Sequence, residues 1–453
     1  MSSDSLDPVE AVAIPPAREA AAAGSGLRWV ICGLLFFATT INYVDRVTMS
    51  VLEPDLRTKI GWSDDQWGDI NAAFMLAYAI GSLLAGWMMD KLGTRLGFTI
   101  SLVVWSLVTA AHAFAQNVTQ FMFARFALGI GESGNFPGAI KTTAEWFPKS
   151  ERALATGIFN SGSNFGPIIA AIVVPILVPT FGWQSAFVCT GVVGLLWVFF
   201  WWPIYRRPQE HPWISAEELA HIERDPPDRM EKISWKMLLP YRETWAFAAG
   251  KFMTDSVWWF YVFWFPKFIS EQFHLKFSFS KIGLPMVTVY ALATVGSTLG
   301  GGQSSWLLSR GWTVNAARKT AMLTCALFVV PVVAAPLVAS FWTSVLLIGV
   351  AAAAHQGFSC NLFSLTSDMF PRRAVGSVVG IGTFAGAMGG FLLQITVGRL
   401  KQSTGNYIAI FAFAGVAYLV ALLIIQLLVP RVEPVELQPS VDAVKDADPG
   451  LQR

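Results

Sequence analysis

Long apolar stretches recur twelve times along this chain, and they constrain its fold more than any other feature of the sequence. Roughly 20 apolar residues cross the hydrocarbon core of a bilayer as a helix, and each stretch is about that long. The sequence therefore predicts an all-α integral membrane protein. The predicted spans cover about 29–52, 67–89, 96–115, 118–141, 153–177, 183–203, 245–268, 282–307, 318–338, 341–367, 374–398 and 405–429.

The composition excludes several other classes of protein. Hydrophobic residues make up 54% of the chain and charged residues only 14%, whereas soluble proteins carry about 25% charged residues. The formal net charge is +2, and no run of basic residues is longer than two, so no nucleic-acid partner is expected. All four cysteines fall inside apolar stretches, which favours small buried side chains over a disulfide framework or a metal site.

The twelve spans fall into two sets of six, separated by one long polar connector. Residues 1–26 lack the basic start and the apolar core of a secretory signal. Ser215 and Glu218 match a capping box, which predicts a short amphipathic surface helix in the connector. We therefore predict a disordered cytoplasmic tail at 1–26, an N-terminal six-helix bundle at 27–203, a cytoplasmic linker at 204–244, a C-terminal six-helix bundle at 245–429 and a cytoplasmic tail at 430–453.

The distribution of basic residues predicts the orientation in the membrane. With both termini on one side, 22 of the 32 Lys and Arg residues lie on that side and seven lie on the other. Cytoplasmic loops of membrane proteins carry an excess of Lys and Arg. We therefore expect both termini in the cytoplasm and the protein in a bacterial inner membrane.

A short internal repeat supports the division into two halves. Glu145-Trp-Phe-Pro-Lys149 matches Asp368-Met-Phe-Pro-Arg372 at a constant offset of 223 residues, and a glycine follows each acid after twelve residues. Both copies fall between the fourth and fifth span of their half. Parallel repeats of this kind are typical of transporters in which two bundles rock around a central site.

Six charged residues lie well inside the predicted spans, away from their ends, where a charge facing lipid costs several kcal/mol. We expect them to face a cavity and to pair, and protonation of a carboxylate among them would leave a net positive charge that suits an anionic substrate. Packing ion pairs remain the alternative, above all for the last two, which are four residues apart. The six residues are Asp45, Arg46, Arg125, Glu132, Lys251 and Asp255.

The turn after the second span carries the motif from Gly86 to Arg95. It resembles the signature of the major facilitator superfamily, G-x-x-x-D-[RK]-x-G-x-[RK], at every fixed position. This resemblance implies two pseudo-symmetric six-helix bundles, with Asp90 and Arg95 making charge contacts that hold one gate shut. An ordinary charged turn is the alternative. We assign the repeated acids Glu145 and Asp368 to the same gating function.

Further strings resemble the anion:cation symporter family within that superfamily, and more specifically its bacterial members that carry hexuronates, galactonate and glucarate. The resemblance covers all twelve spans. The strings include Asn42-Tyr-Val-Asp-Arg46, Arg125-x-x-x-Gly-Ile-Gly-Glu-Ser-Gly-Asn-Phe-Pro137, Thr254-Asp-Ser-Val-Trp-Trp-Phe260, Phe263-Trp-Phe-Pro266, Trp306-Leu-Leu-Ser-Arg-Gly-Trp312 and His355-Gln356.

The family resemblance implies roles for residues in the N-terminal half. Asp45 and Glu132 would couple transport to protons, and Arg46 and Arg125 would bind the substrate carboxylate. Elementary chemistry agrees, because a guanidinium group binds a carboxylate through two parallel hydrogen bonds. The resemblance also implies that Tyr43 and Tyr78 line the pocket of the N-terminal half.

In the C-terminal half, polar and aromatic residues are candidates for binding sugar hydroxyls. Polar side chains in membrane helices often bond only a neighbouring helix, so packing is the alternative for each. For His355 a packing function is favoured over a proton relay. The candidates are Gln356, Ser359 and Asn361 as hydrogen-bonding groups, and Trp258 and Tyr261 as stacking walls.

The sequence thus predicts a monomeric secondary transporter that imports an anionic sugar acid with protons, with the proton gradient and no cofactor as its driving force. Exchange is an alternative, because Gly166-Pro167 resembles an antiporter motif. Other organic anions, such as aromatic carboxylates or dicarboxylates, are a second alternative. A membrane-embedded enzyme would need a reactive constellation that the sequence lacks, and a sensor would carry a long cytoplasmic extension.

Overall fold

The computed structural model of the chain describes residues 26–225 and 235–436. The predicted tail at 1–26 therefore lies outside the described residues except for Gly26, and so does the C-terminal tail beyond residue 436. The nine residues omitted from the linker are 226–234.

The N-terminal half is built from helices that are broken where small residues interrupt them. Gly93 has a φ of 77° and divides α2 into two membrane-crossing segments, a conformation that glycine adopts without a steric penalty. The fourth span is likewise divided at Ser133–Gly134. The helices are α1 (Leu27–Ile60), α2 (Asp64–Ala111), α3 (Val118–Glu132), α4 (Asn135–Trp146), α5 (Arg152–Phe181) and α6 (Trp183–Ile204).

The linker contains α7 (Ala216–Glu223) and the short α8 (Trp235–Leu238). As predicted, the helix at Ser215 begins with a cap, because the Ser215 hydroxyl accepts a hydrogen bond from the Glu218 backbone N–H at 3.1 Å. The Glu218 carboxylate accepts hydrogen bonds from the backbone N–H groups of Leu27 and Arg28, at 3.1 Å each. The linker helix thereby caps the start of α1.

The C-terminal half repeats the six-helix arrangement. Pro285 lies in the first turn of α10, where the missing N–H has no helical partner anyway. Pro266 lies inside α9. The helices are α9 (Arg242–Gln272), α10 (Leu284–Ser309), α11 (Val314–Val329), α12 (Phe341–Met369), α13 (Arg372–Thr404) and α14 (Ile408–Leu428).

Twelve membrane crossings result when α2 counts as two and α3 with α4 counts as one. Among the described residues, nine helices are long and apolar enough to cross a membrane by length and composition alone. The number of such helices is smaller than the number of crossings for three reasons. The two crossings of α2 form one continuous helix, the fourth crossing is split into two short helices, and α9 is too polar to be counted. The chain is an all-α membrane protein with two six-helix bundles.

Small residues let the helices pack closely. A Cβ atom at Gly300 of α10 would lie 2.2 Å from the Cα of Gly357 in α12. A Cβ atom at Gly166 of α5 would lie 2.6 Å from the Tyr43 Cβ in α1. Close backbone approach of this kind supplies van der Waals contact where lipid provides no hydrophobic driving force. Gly166 thus lets α5 lie directly against Tyr43.

The two copies of the internal repeat occupy equivalent places. Phe147 ends α4 and Phe370 ends α12, both with extended backbone. The acid before each Phe makes its contacts inside its own half. Glu145 accepts from Thr94 at 2.8 Å and from Tyr205, and Asp368 pairs with Arg318 at 2.9 Å.

Candidate substrate site

A cavity of about 500 Å³ lies between the two halves. Its walls come from α1, α4 and α5 on one side and from α9, α12 and α13 on the other. Cavities of this size suit small-molecule ligands. Six predicted residues line it, namely Tyr43, Trp258, Gln356, Ser359, Lys251 and Asp255.

A buried charge cluster closes one end of this cavity. This end, here called the far end, lies opposite the termini end, where α1 begins and α14 ends. Lys267 of α9 is fully buried, and its ammonium lies 2.8 Å from Glu53 Oε1, 3.0 Å from Asp64 Oδ1 and 2.9 Å from Glu271 Oε1. Arg57 pairs with Asp64 at 2.8 Å and also with Glu271. The cluster joins α1 and α2 of one half to α9 of the other.

Close backbone contact and aromatic rings complete the closure at the far end. A Cβ atom at Gly68 of α2 would lie 2.6 Å from the Gln394 carbonyl oxygen and 3.1 Å from the Gly398 Cα in α13. The rings of Trp67 and Trp264, from different halves, lie 6.5 Å apart. The two halves therefore meet directly here.

The cavity extends toward the termini end. Thr156 and Val379 line it and lie within two turns of the start of α5 and α13. Ile140 and Phe363 line it within two turns of the end of α4 and α12. The cavity therefore lies on the termini side of the contacts that close the far end.

The Arg46 guanidinium lies directly behind the cavity wall. It is 1% exposed and its Nε donates to Glu132 Oε2 at 2.7 Å. The rings of Tyr43, Tyr78 and Trp259 surround it at 4.5, 4.9 and 5.2 Å from their centroids. Because Tyr43 and Trp259 also line the cavity, these aromatic rings separate the cation from the open space.

Arg125 lies deeper in the N-terminal half. Its two terminal nitrogens donate to the Arg46 carbonyl oxygen at 3.2 and 3.3 Å, and one also contacts Asn71 Oδ1 at 3.4 Å. Phe74 and Phe263 flank it. The predicted pair of arginines is thus assembled in one place, with only Arg46 bound to a carboxylate.

Several buried polar atoms around these arginines have no hydrogen-bond partner within the described part of the chain. They are Arg46 Nη1, Arg125 Nε, Glu132 Oε1 and both carboxylate oxygens of Asp45. Asp45 is 1% exposed, and the hydroxyls of Thr109 and Thr190 lie nearby. Most buried polar groups in proteins are hydrogen-bonded, so this group of unpaired atoms calls for a functional explanation.

The second charged pair faces the cavity directly. Lys251 Nζ lies 2.8 Å from Asp255 Oδ1 and 2.7 Å from Oδ2. His355 lines the same wall, stacked on Trp258 with 4.8 Å between ring centroids. Its Nδ1 lies 2.7 Å from the Tyr418 hydroxyl, which fixes the ring in place.

Three other predicted ligands lie outside the cavity lining. The Asn361 amide donates to the carbonyl oxygens of Gly300 and Gly357, both at 2.9 Å, and so joins α12 to α10. Tyr261 is buried, its ring lies 5.6 Å from that of Phe260, and its hydroxyl has no partner among the described residues. Tyr78 lies against Arg46 as described above.

The predicted gating motif is found at the termini end. Asp90 pairs with Lys141 at 3.0 Å, and Arg95 donates to the Trp202 carbonyl oxygen and lies over the Trp202 ring. Both contacts stay within the N-terminal half. A Cβ atom at Gly86 would meet no atom within 4 Å, so this face of α2 is open.

Sequence reasoning missed two groups of residues. Glu53 and Lys267 lie at the predicted ends of the first and seventh spans, which are equivalent helices of the two halves, and that symmetry could have indicated their pairing. Asn160, Ser163 and Thr383 supply polar groups to the cavity from α5 and α13. The spacing of Asn160 and Ser163 places them on one helix face.

Comparison with known proteins identifies the class. The sequence model of the Major Facilitator Superfamily matches residues 35–394, and the chain belongs to this superfamily. The crystal structure of a bacterial homologue of the lysosomal transporter Spinster, in an inward-facing and occupied conformation, gives a TM-score of 0.68 at 16% identity, covering 89% of this chain and 96% of the other. A partially occluded inward-open structure of the E. coli xylose transporter also gives 0.68, at 15% identity, covering 90% and 98%.

Curated relatives narrow the group. The hexuronate transporter of Escherichia coli K12 is 29% identical over 88% of this chain and 93% of its own length. A probable galactarate/D-glucarate transporter of Bacillus subtilis is 29% identical over 91% and 94%. The D-galactonate transporter of an E. coli O6:H1 strain is 27% identical over 87% and 94%. The chain is therefore a membrane transporter related to sugar-acid transporters, and not an enzyme.

Proposed function

We propose that this protein imports an anionic sugar acid together with protons, by alternating access. The observation that carries the proposal is the pair of buried guanidinium groups whose free N–H donors, Arg46 Nη1 and Arg125 Nε, lack an acceptor among the described residues. A substrate carboxylate supplies acceptors of the right geometry and charge. Rotation of Tyr43 or Trp259 admits it from the cavity.

Two carboxyl groups beside the arginines account for proton coupling. Asp45 has no cationic partner within residues 26–225 and 235–436, and a buried carboxyl group without one is more stable with a proton. Glu132 holds Arg46 through a 2.7 Å ion pair. A substrate carboxylate competes for Arg46, so Glu132 takes up a proton when the substrate binds. The formal charge of the site then stays constant.

The conformation supports uptake by alternating access. The far end is closed and the cavity extends toward the termini end. The excess of Lys and Arg on the termini side predicts that this side is cytoplasmic. The structure then corresponds to an inward-facing monomer in the bacterial inner membrane, from which the substrate is released into the cell.

The test uses proteoliposomes with an inward pH gradient and a panel of galacturonate, glucuronate, galactonate, glucarate and benzoate. We expect one or more sugar acids to accumulate and a protonophore to abolish the accumulation. The variant Glu132→Gln should still exchange labelled for unlabelled substrate but should not concentrate it. The exposed Glu433→Gln serves as a charge-matched control and should behave like the wild type.

Three outcomes would overturn parts of this proposal. Gradient-driven accumulation by Glu132→Gln at the wild-type level would remove Glu132 from the coupling mechanism. Normal substrate binding by Arg125→Gln would remove that arginine from the site. Exchange without any gradient-driven uptake in the wild type would favour an antiporter.

A further inference from the structure

The Lys251–Asp255 pair lies on the C-terminal wall of the cavity and has no part in the proton coupling described above. Both residues line the open space, and their side chains are 8% and 15% exposed. The pair is therefore buried from lipid and water on most sides, while remaining in reach of a molecule in the cavity.

Neighbouring helices pack closely against part of the Lys251–Asp255 pair. A Cβ atom at Gly386 of α13 would lie 2.4 Å from Asp255 Oδ2, and one at Gly382 would lie 3.2 Å from Lys251 Cγ. The ring of Phe363 lies 4.7 Å from Lys251 Nζ. These contacts cover part of each side chain, and the cavity that both residues line is open to a new polar partner for Lys251.

The chemistry of the ammonium group allows such a partner. An ammonium group has three N–H donors, and Asp255 offers two oxygens at 2.7 and 2.8 Å. One donor is left for a further acceptor. Asp255 keeps the empty site neutral, which avoids the large cost of an unpaired charge at membrane depth.

We propose that Lys251 binds a second carboxylate of the substrate, so that this site accepts sugar acids with a carboxylate at each end. The proposal rests on the proposed function, in which the first carboxylate binds at Arg46. The second carboxylate shares the Lys251 ammonium with Asp255. A sugar acid with one carboxylate leaves the Lys251–Asp255 pair intact and binds that carboxylate through the N-terminal half alone.

Charge balance gives the proposal a second consequence. The site carries three cations and three carboxylates, so a dianion is accommodated without net charge when two of the carboxylates take up protons. The candidates for protonation are Asp45, Glu132 and Asp255. The other titratable groups near the pair in the described residues are His355 of α12, Tyr43 of α1, Tyr78 of α2 and Tyr418 of α14.

The experiment compares galactarate with galacturonate, which share a carbon skeleton and differ by one terminal carboxylate. Binding to the purified full-length protein is measured by calorimetry for the wild type, Lys251→Gln, Asp255→Asn and the double variant. Lys276→Gln, an exposed lysine of the far-end loop, is the charge-matched control. Thermal unfolding of each variant establishes that it is folded.

Lys251→Gln should weaken galactarate binding about tenfold or more, as loss of a charged hydrogen bond does. Galacturonate binding should change less than about twofold, since it does not use this contact. Asp255→Asn should strengthen galactarate binding, because the competing carboxylate is gone. The double variant should keep galacturonate affinity and still bind galactarate weakly.

Equal losses for both sugar acids in a folded Lys251→Gln variant would overturn the proposal. Recovery of galactarate binding in the double variant would do the same, because a purely structural pair is repaired when both charges are removed. Wild-type protein that binds galacturonate but not galactarate would also overturn it. Wild-type protein that binds no sugar acid would contradict the proposed function instead.

Discussion

The two ends of the molecule use charge in opposite ways. At the far end, Lys267 is fully buried and bridges carboxylates from both halves. At the termini end, pairs such as Asp90–Lys141 and Arg318–Asp368 are partly exposed and each lies within one half. Charges that join the halves stabilise one conformation, whereas charges within a half leave the halves free to move. We attribute the closed far end to the charges that join the two halves there.

The largest effect is expected from Lys267→Met. This change leaves Glu53 buried without its cation, and breaking a buried ion pair by removing one partner costs roughly 3–5 kcal/mol. The conformation in which the far end is closed should become less populated. Pulsed electron spin resonance between labels at Lys59 and Lys276, two exposed positions in different halves, should report a longer distance.

The double variant Glu53→Gln with Lys267→Met is the matched control for this experiment. It removes both charges and should recover part of the short-distance population. An unchanged distance distribution in Lys267→Met would show that the charge cluster does not hold the far end closed.

Smaller effects, one at each end of the molecule, are expected from two glycine substitutions in α2. In Gly68→Val, the new Cβ atom alone would lie 2.6 Å from the Gln394 carbonyl oxygen. Overpacking of this kind costs about 1–3 kcal/mol. It should open the far end. Gly86→Val meets no atom in this conformation and should instead hinder closure of the termini end.

The same spin-label pair measures both variants. Gly68→Val should lengthen the far-end distance, and Gly86→Val should leave it short while slowing transport. If both variants shifted the distance in the same direction, the two ends would not alternate.

The smallest effect concerns the linker at the termini end. Burial tends to raise the pKa of Glu151, but hydrogen bonds from His221 and Arg28, each 2.9 Å long, lower that pKa on balance. The ionised Glu151 carboxylate therefore stabilises the folded state at pH values above the usual Glu pKa of about 4.3. This contribution to the free energy of unfolding is lost as the pH falls below that value.

The contribution should be below about 1 kcal/mol, because the pair is partly exposed. The difference in Tm between the wild type and Glu151→Gln should be positive at pH 7 and should shrink below about pH 4. A difference that is independent of pH would show that Glu151 acts by packing and not by charge.

The site was only partly accessible from the sequence. Charged residues in apolar spans, such as Asp45 and Arg46, stand out because their cost in lipid is high. The sequence did not reveal that Arg46 pairs with Glu132 behind Tyr43 and Trp259, because those contacts join three different helices. For Asn361 the sequence was misleading. Its polar side chain suggested a substrate ligand, whereas its amide donates a hydrogen bond to the Gly300 carbonyl oxygen of α10.

The class and topology of this protein follow from local patterns in its sequence. Hydropathy, the repeat at Glu145 and Asp368 and the Gly86–Arg95 motif are local patterns, and the bilayer forces each apolar span into a helix whatever its neighbours are. The tertiary structure alone decided which end is closed, because that depends on contacts such as Glu53–Lys267 between residues 214 positions apart. It also showed that Lys251 and Asp255 line the cavity, since no local pattern specifies which side of a helix faces the other half.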